Sequence, residues 1–109
     1  VLIHGKTVNV GGWFDASTGK PRIQIQTSSG GAWEDAGELK DYPATTGSNA
    51  GPLNEGESFS CQLAAPVKVF GVRVLGKPAF GGNPNQAFSS CAELQTFNKY
   101  QIPNERNKL

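Results

Sequence analysis

The stretch Arg22-Ile23-Gln24-Ile25-Gln26-Thr27 decides the fold class of this chain. Polar and apolar residues alternate with period two, so a strand here turns Ile23 and Ile25 toward a core and Arg22, Gln24 and Gln26 toward water. The β-branched isoleucines suit that pleated surface. Directly after it, Ser28-Ser29-Gly30-Gly31 supplies tight-turn chemistry, and Ala32-Trp33-Glu34-Asp35-Ala36 returns as the second arm of a hairpin. On the other side, the turn-forming run Asp15-Ala16-Ser17-Thr18-Gly19-Lys20-Pro21 separates this strand from Trp13-Phe14, which follow Val8-Asn9-Val10 and the pair Gly11-Gly12.

Further along, residues 40–57 carry Pro43, Gly47, Gly51, Pro52 and Gly56 among Thr, Ser and Asn, which predicts a long polar surface loop. Ser58-Phe59-Ser60-Cys61-Gln62-Leu63 alternates again, with Phe59, Cys61 and Leu63 inward. Residues 67–75 are apolar on both faces apart from Lys68, Gly71 and Arg73, the pattern of a central strand covered on both sides. Residues 77–89 form a second loop rich in Gly, Pro and Asn, and residues 90–97 read as the last strand. About six short strands joined by breaker-rich connections, with no stretch of helical periodicity, predict an all-β sandwich or jelly roll. Residues 1–98 make a single module and 99–109 a tail, where Lys99, Arg106 and Lys108, diluted by Glu105, read as a solvated end.

The 109 residues are enough for one core and no more. A formal net charge of +1, with no cluster of Lys or Arg, argues against a nucleic-acid partner. No apolar run approaches the roughly 20 residues needed to span a bilayer, so no membrane partner is expected either. The opening Val1-Leu2-Ile3-His4 lacks the marks of a signal peptide. Cys61 and Cys91 are either one bridge or two thiols, and neither has a neighbour that would complete a zinc site.

Catalytic chemistry is scarce. His4 is the only histidine. It reads as an exposed residue near a chain end, which leaves Ser–His and Cys–His dyads without a candidate. Glu34, Asp35, Glu38 and Asp41 gather around the hairpin in polar surroundings, with nothing to desolvate one of them. The glycine pairs at 11–12, 30–31 and 81–82 lack phosphate-loop spacing. The expectation is a chain that is not an enzyme and holds no cofactor.

One ordered set of segments goes further. Gly11-Gly12-Trp13-Phe14, Pro21 to Gln26, Gly31-Ala32-Trp33-Glu34-Asp35-Ala36, Asp41-Tyr42-Pro43 and Asn49-Ala50-Gly51-Pro52 lead into Phe70-Gly71-Val72-Arg73-Val74-Leu75-Gly76-Lys77-Pro78. The series closes on Phe88-Ser89-Ser90-Cys91-Ala92-Glu93-Leu94-Gln95-Thr96-Phe97. Over about positions 8 to 97 this resembles the later part of discoidin or coagulation-factor type C modules, and it is similar to the galactose-binding-like carbohydrate modules attached to bacterial glycoside hydrolases. The resemblance implies a galactose-binding-like jelly-roll β-sandwich without catalytic machinery, with ligand held on loops at one end. Such modules have a further N-terminal third, absent before Val8 here. Either the chain is truncated, or those strands are supplied otherwise, or the fold is minimal.

The resemblance implies a lectin-like, non-catalytic carbohydrate-binding module, secreted or cell-surface, escorting enzyme domains of the same polypeptide. A structural or protein-interaction sandwich, and a fragment of a glycoside hydrolase, are the alternatives. Trp33 occupies the place of a core tryptophan. Of the neighbours Trp13 and Phe14, Phe14 reads as inside and Trp13 as a candidate platform for a sugar ring. The loop before the last strand offers Phe80 for stacking, with Asn83, Asn85 and Gln86 for hydroxyls; Phe88 reads as buried at the start of that strand, and Arg73 as a structural arginine bonding across strands. Glu93 matches a position that contributes to structural calcium in some relatives, but one carboxylate falls far short of the six to eight oxygens calcium takes.

Overall fold

The computed structural model describes residues 1–97. The tail expected at 99–109 lies outside them. Eight short strands follow one another: β1 Leu2–His4, β2 Phe14–Asp15, β3 Arg22–Gln26, β4 Trp33–Glu38, β5 Ser58–Phe59, β6 Gly71–Leu75, β7 Lys77–Pro78 and β8 Cys91–Leu94. They form three sheets ordered β5-β1-β8, β2-β7 and β4-β3-β6, and every strand pairing is antiparallel. No helix occurs among the described residues, so the chain is all-β, and its layers fit a β-sandwich.

Strand β3 runs where the alternation places it. Ile23 is buried, Ile25 is half-buried, and Gln24 and Gln26 pair outward with their neighbours. The hairpin to β4 closes through Ser28–Gly31, where the Gly31 N–H donates to the Ser28 carbonyl at 3.1 Å. A bulge between Ile23 and Gln24 puts both Asp35 and Glu38 opposite outward residues of β3, although they lie three positions apart.

Side chains from all three sheets meet in one core: Leu2 and Phe59, Phe14, and Ile23, joined by Leu39, Tyr42 and Leu53 from the connections. Tyr42 is its hub. Its ring stands edge-on to Phe14 at 6.0 Å and 4.9 Å from Phe59. The hydroxyl accepts the Phe14 N–H at 3.0 Å and lies 3.2 Å from His4 Nε2. His4 Nδ1 lies 2.8 Å from the Gly5 carbonyl, which can only accept. Nδ1 therefore carries the proton in the neutral ring, and Nε2 accepts from Tyr42.

Several expectations are corrected here. His4 is fully buried rather than exposed, because β1 is the middle strand of its sheet and turns Leu2 and His4 into the core. The loop 40–57 packs instead of floating: Tyr42, Thr45 and Leu53 are buried. Residues 67–75 do not form a central strand; β6 begins only at Gly71 and has β3 as its one ladder partner among the described residues, while Val67, Phe70 and Leu75 are 44%, 54% and 49% exposed. The loop expected from Lys77 opens with β7, paired to β2, and a bridge joins Ala79 to Phe88. Phe88 is exposed rather than buried. Cys61 and Cys91 are free thiols.

Trp33 is outside the core too. Register places it opposite Gln26, an outward residue, so its ring lies on the water-facing side of the sheet, half-buried under the Arg73 guanidinium at 4.4 Å. Gly71 makes room for it: a Cβ there would sit 2.9 Å from Trp33 Cη2 and 2.8 Å from Gln26 Oε1. Arg73 Nε donates to Gln24 Oε1 at 2.8 Å, the cross-strand bond expected of a structural arginine.

Candidate functional site

The candidate site is the end of the molecule where the connections 44–50 and 79–88 meet. Backbone bonds join them: the N–H groups of Phe80 and Gly81 both donate to the Gly47 carbonyl, at 2.9 and 2.8 Å. The Phe80 ring lies across Gly47 so closely that any side chain at 47 would collide with it. The Phe80 residue is half-buried, with Cδ1, Cε1 and Cζ of its ring against Gly47.

Each loop is held by its own short-range bonds. In 79–88, Asn83 N–H donates to the Phe80 carbonyl at 3.1 Å and Gln86 N–H to the Asn83 carbonyl at 3.0 Å. The Asn83 Oδ1 accepts the Asn85 N–H at 3.1 Å, an Asx turn. Asn83 is half-buried; the Asn85 side chain is exposed. Across the junction, Thr46 Oγ1 accepts the Asn49 N–H at 3.1 Å and Asn49 Oδ1 accepts the Gly51 N–H at 2.8 Å. The result is a hydrogen-bonded rim bearing two phenylalanine rings, the half-buried Phe80 and the exposed Phe88, and several amides.

The structure therefore brings Phe80, Asn83 and Asn85 together and removes Trp13 from the set. Trp13 is 4% exposed, so no sugar can stack on it. Its neighbour Phe14 is buried as well, because loop 40–57 folds over the strand and covers the face left to Trp13. The indole Nε1–H donates to the Thr46 carbonyl at 2.8 Å, which makes Trp13 the support beneath one of the two loops. Asn49, exposed two residues from Phe80's partner Gly47, belongs to a loop that by sequence could either border a ligand site or act as a cover. Nothing short of the loop-to-loop bonds would single it out.

Charge at the site is low. Asp15, at the base of loop 40–57's contact with β2, is buried and ion-paired to Lys77 at 3.6 Å. The Ser17 hydroxyl and N–H donating to Asp15 Oδ1, at 2.6 and 2.9 Å, hold its carboxyl below the usual carboxylate range, with Lys77 adding to the effect. Elsewhere, Asp35 is held low by the forked hydrogen bonds of Arg22, at 2.7 and 2.6 Å. Glu34, Glu38 and Asp41 are exposed. Glu93 is exposed on β8, and no three His, Cys, Asp or Glu side chains among the described residues gather as metal ligands.

Compared with known proteins, the chain matches no family model, no curated protein and no solved structure.

Proposed function

We propose that this chain is a non-catalytic carbohydrate-binding module of the galactose-binding-like, jelly-roll kind, and that it grips poly- or oligosaccharide at the rim built from 44–50 and 79–88. The observation that carries the reading is the Phe80 ring: braced on Gly47, half-buried, and followed in the same turn-bonded loop by the carboxamides of Asn83 and Asn85. A pyranose presents a face of C–H groups that packs on such a ring, while carboxamides donate to and accept from its hydroxyls. Two further observations support a role without bond-breaking. The one histidine is buried with both ring nitrogens occupied, and the carboxylates around the hairpin are exposed. The module works outside the cell or on its surface, beside glycan-active domains of the same polypeptide.

Affinity electrophoresis against neutral and acidic polysaccharides tests this. Retardation by at least one glycan, lost in Asn85→Ala and in Phe80→Leu with the fold intact by circular dichroism, is the expected result. Asn85→Ala is the cleaner variant, because its exposed side chain accepts and donates nothing within the described fold. A well-folded chain that no glycan retards points instead to a structural or protein-interaction sandwich.

A further inference from the structure

A second surface, lined by none of the rim residues, lies along the β4-β3-β6 sheet. The inner face of the β4-β3-β6 sheet borders a groove of about 750 Å³ lined by Ile23, Ile25 and Val72 on one wall and by Leu63, Val69 and Leu94 around it. Along the groove runs β6, whose outer edge has no ladder partner among the described residues. The stretch 62–69 beside it makes no backbone–backbone hydrogen bond among those residues either. Apolar side chains at Val67 and Phe70 stay open to water. An open row of backbone donors and acceptors next to a greasy trough has one natural complement: a strand, which fills the trough with alternate side chains and satisfies the row with its backbone.

Charge narrows the choice. From Ser58 to Ala92 the chain has Lys68, Arg73 and Lys77 and not a single Asp or Glu. Lys77 is taken by Asp15, but Lys68 and Arg73 meet no carboxylate among the described residues. Lys68 Nζ rests over the exposed Phe70 ring at 5.5 Å. Arg73 is steadied at Nε by Gln24 and by the Trp33 ring, which leaves both Nη groups free to donate. A second copy of this chain, pairing the whole of β6 antiparallel to β6, would set Arg73 against Arg73, an unfavourable cross-strand match that only a shortened, shifted overlap avoids.

We infer that the β6 edge is a docking site for a β-strand of a different protein, with apolar residues facing the groove and acidic residues facing the Lys68 and Arg73 side. The proposal stands independently of carbohydrate binding. It is tested with the full chain, labelled with nitrogen-15, and two capped peptides: Thr-Val-Glu-Val-Glu-Val-Thr and the same sequence with Lys for Glu. The glutamate peptide is expected to shift and protect amides of 62–75 while leaving the rim 79–88 unmoved, and to bind about fivefold more tightly than the lysine peptide, the size of replacing one like-charge cross-strand match by an opposite-charge one. Lys68→Glu, which touches no folding contact beyond Phe70, is expected to narrow or reverse that preference; Arg73→Glu is the stronger variant where it folds. No shift with either peptide overturns the proposal. So does equal binding of both, which would mean a groove that accepts any apolar chain. Concentration-dependent protection of β6 without peptide overturns it too, by making a second copy the occupant.

Discussion

Tyr42 shows how one side chain can organise a small core. Its hydroxyl accepts from Phe14 and donates to His4, so truncating it orphans a buried N–H and a buried ring nitrogen at once. Tyr42→Phe is expected to cost about 1–3 kcal/mol in urea unfolding. Burial also pushes the Tyr42 phenol from 10.0 up to about 12. Since the folded chain holds that proton more tightly than the unfolded one, the associated stability is whole below 10.0 and is lost as the pH rises through about 12. Ultraviolet difference titration would show one of the chain's two tyrosines ionising late, and alkaline unfolding should follow it. Neither role was legible in the sequence. A tyrosine between an aspartate and a proline reads as loop, and only the wrapping of that loop over three sheets makes it core. His4 was hidden for a related reason: a three-residue strand shows too little alternation to tell an inward polar residue from an exposed one.

At the level of strands, β3 and its hairpin were written plainly, because a strand with one buried face imposes a two-residue rhythm that nothing else imitates. The same rhythm contained the correct position of Trp33. If Ile25 points in, Gln26 points out, and the residue facing Gln26 across the turn must point out as well. Expecting a core tryptophan there set that rule aside. Residues 67–75 misled in the other direction: hydrophobicity on both faces suggested cover that the described chain does not supply. These differences predict a pattern of amide hydrogen exchange. β3, with ladder partners on both sides, should exchange most slowly among the strands of its sheet, and alternate amides of β6 should exchange quickly. Uniform protection along β6 would mean that its outer edge is already paired.

For the whole molecule, the legible part was the class: short antiparallel strands around a single core. The division into three sheets was beyond reach, since β2 and β7 are two residues long and exist only because each meets the other. Among the site residues, the loop before β8 could be picked out by composition, with Phe80, Asn83 and Asn85 on it. What joins that loop to 44–50 could not, because it is made of backbone carbonyls.

The ammonium group of Val1 donates to the Gln95 carbonyl at 2.7 Å, and the Gln95 N–H returns a bond to the Val1 carbonyl at 2.8 Å. Val1 is thus stitched beside β8, the last strand among the described residues. Chain order is for that reason partly arbitrary in this architecture. A circular permutant, with residue 109 spliced to Val1 through a short glycine-serine linker and the polypeptide reopened at the solvent-exposed Ser29–Gly30 bond, should recover the parent's circular dichroism spectrum and melt cooperatively.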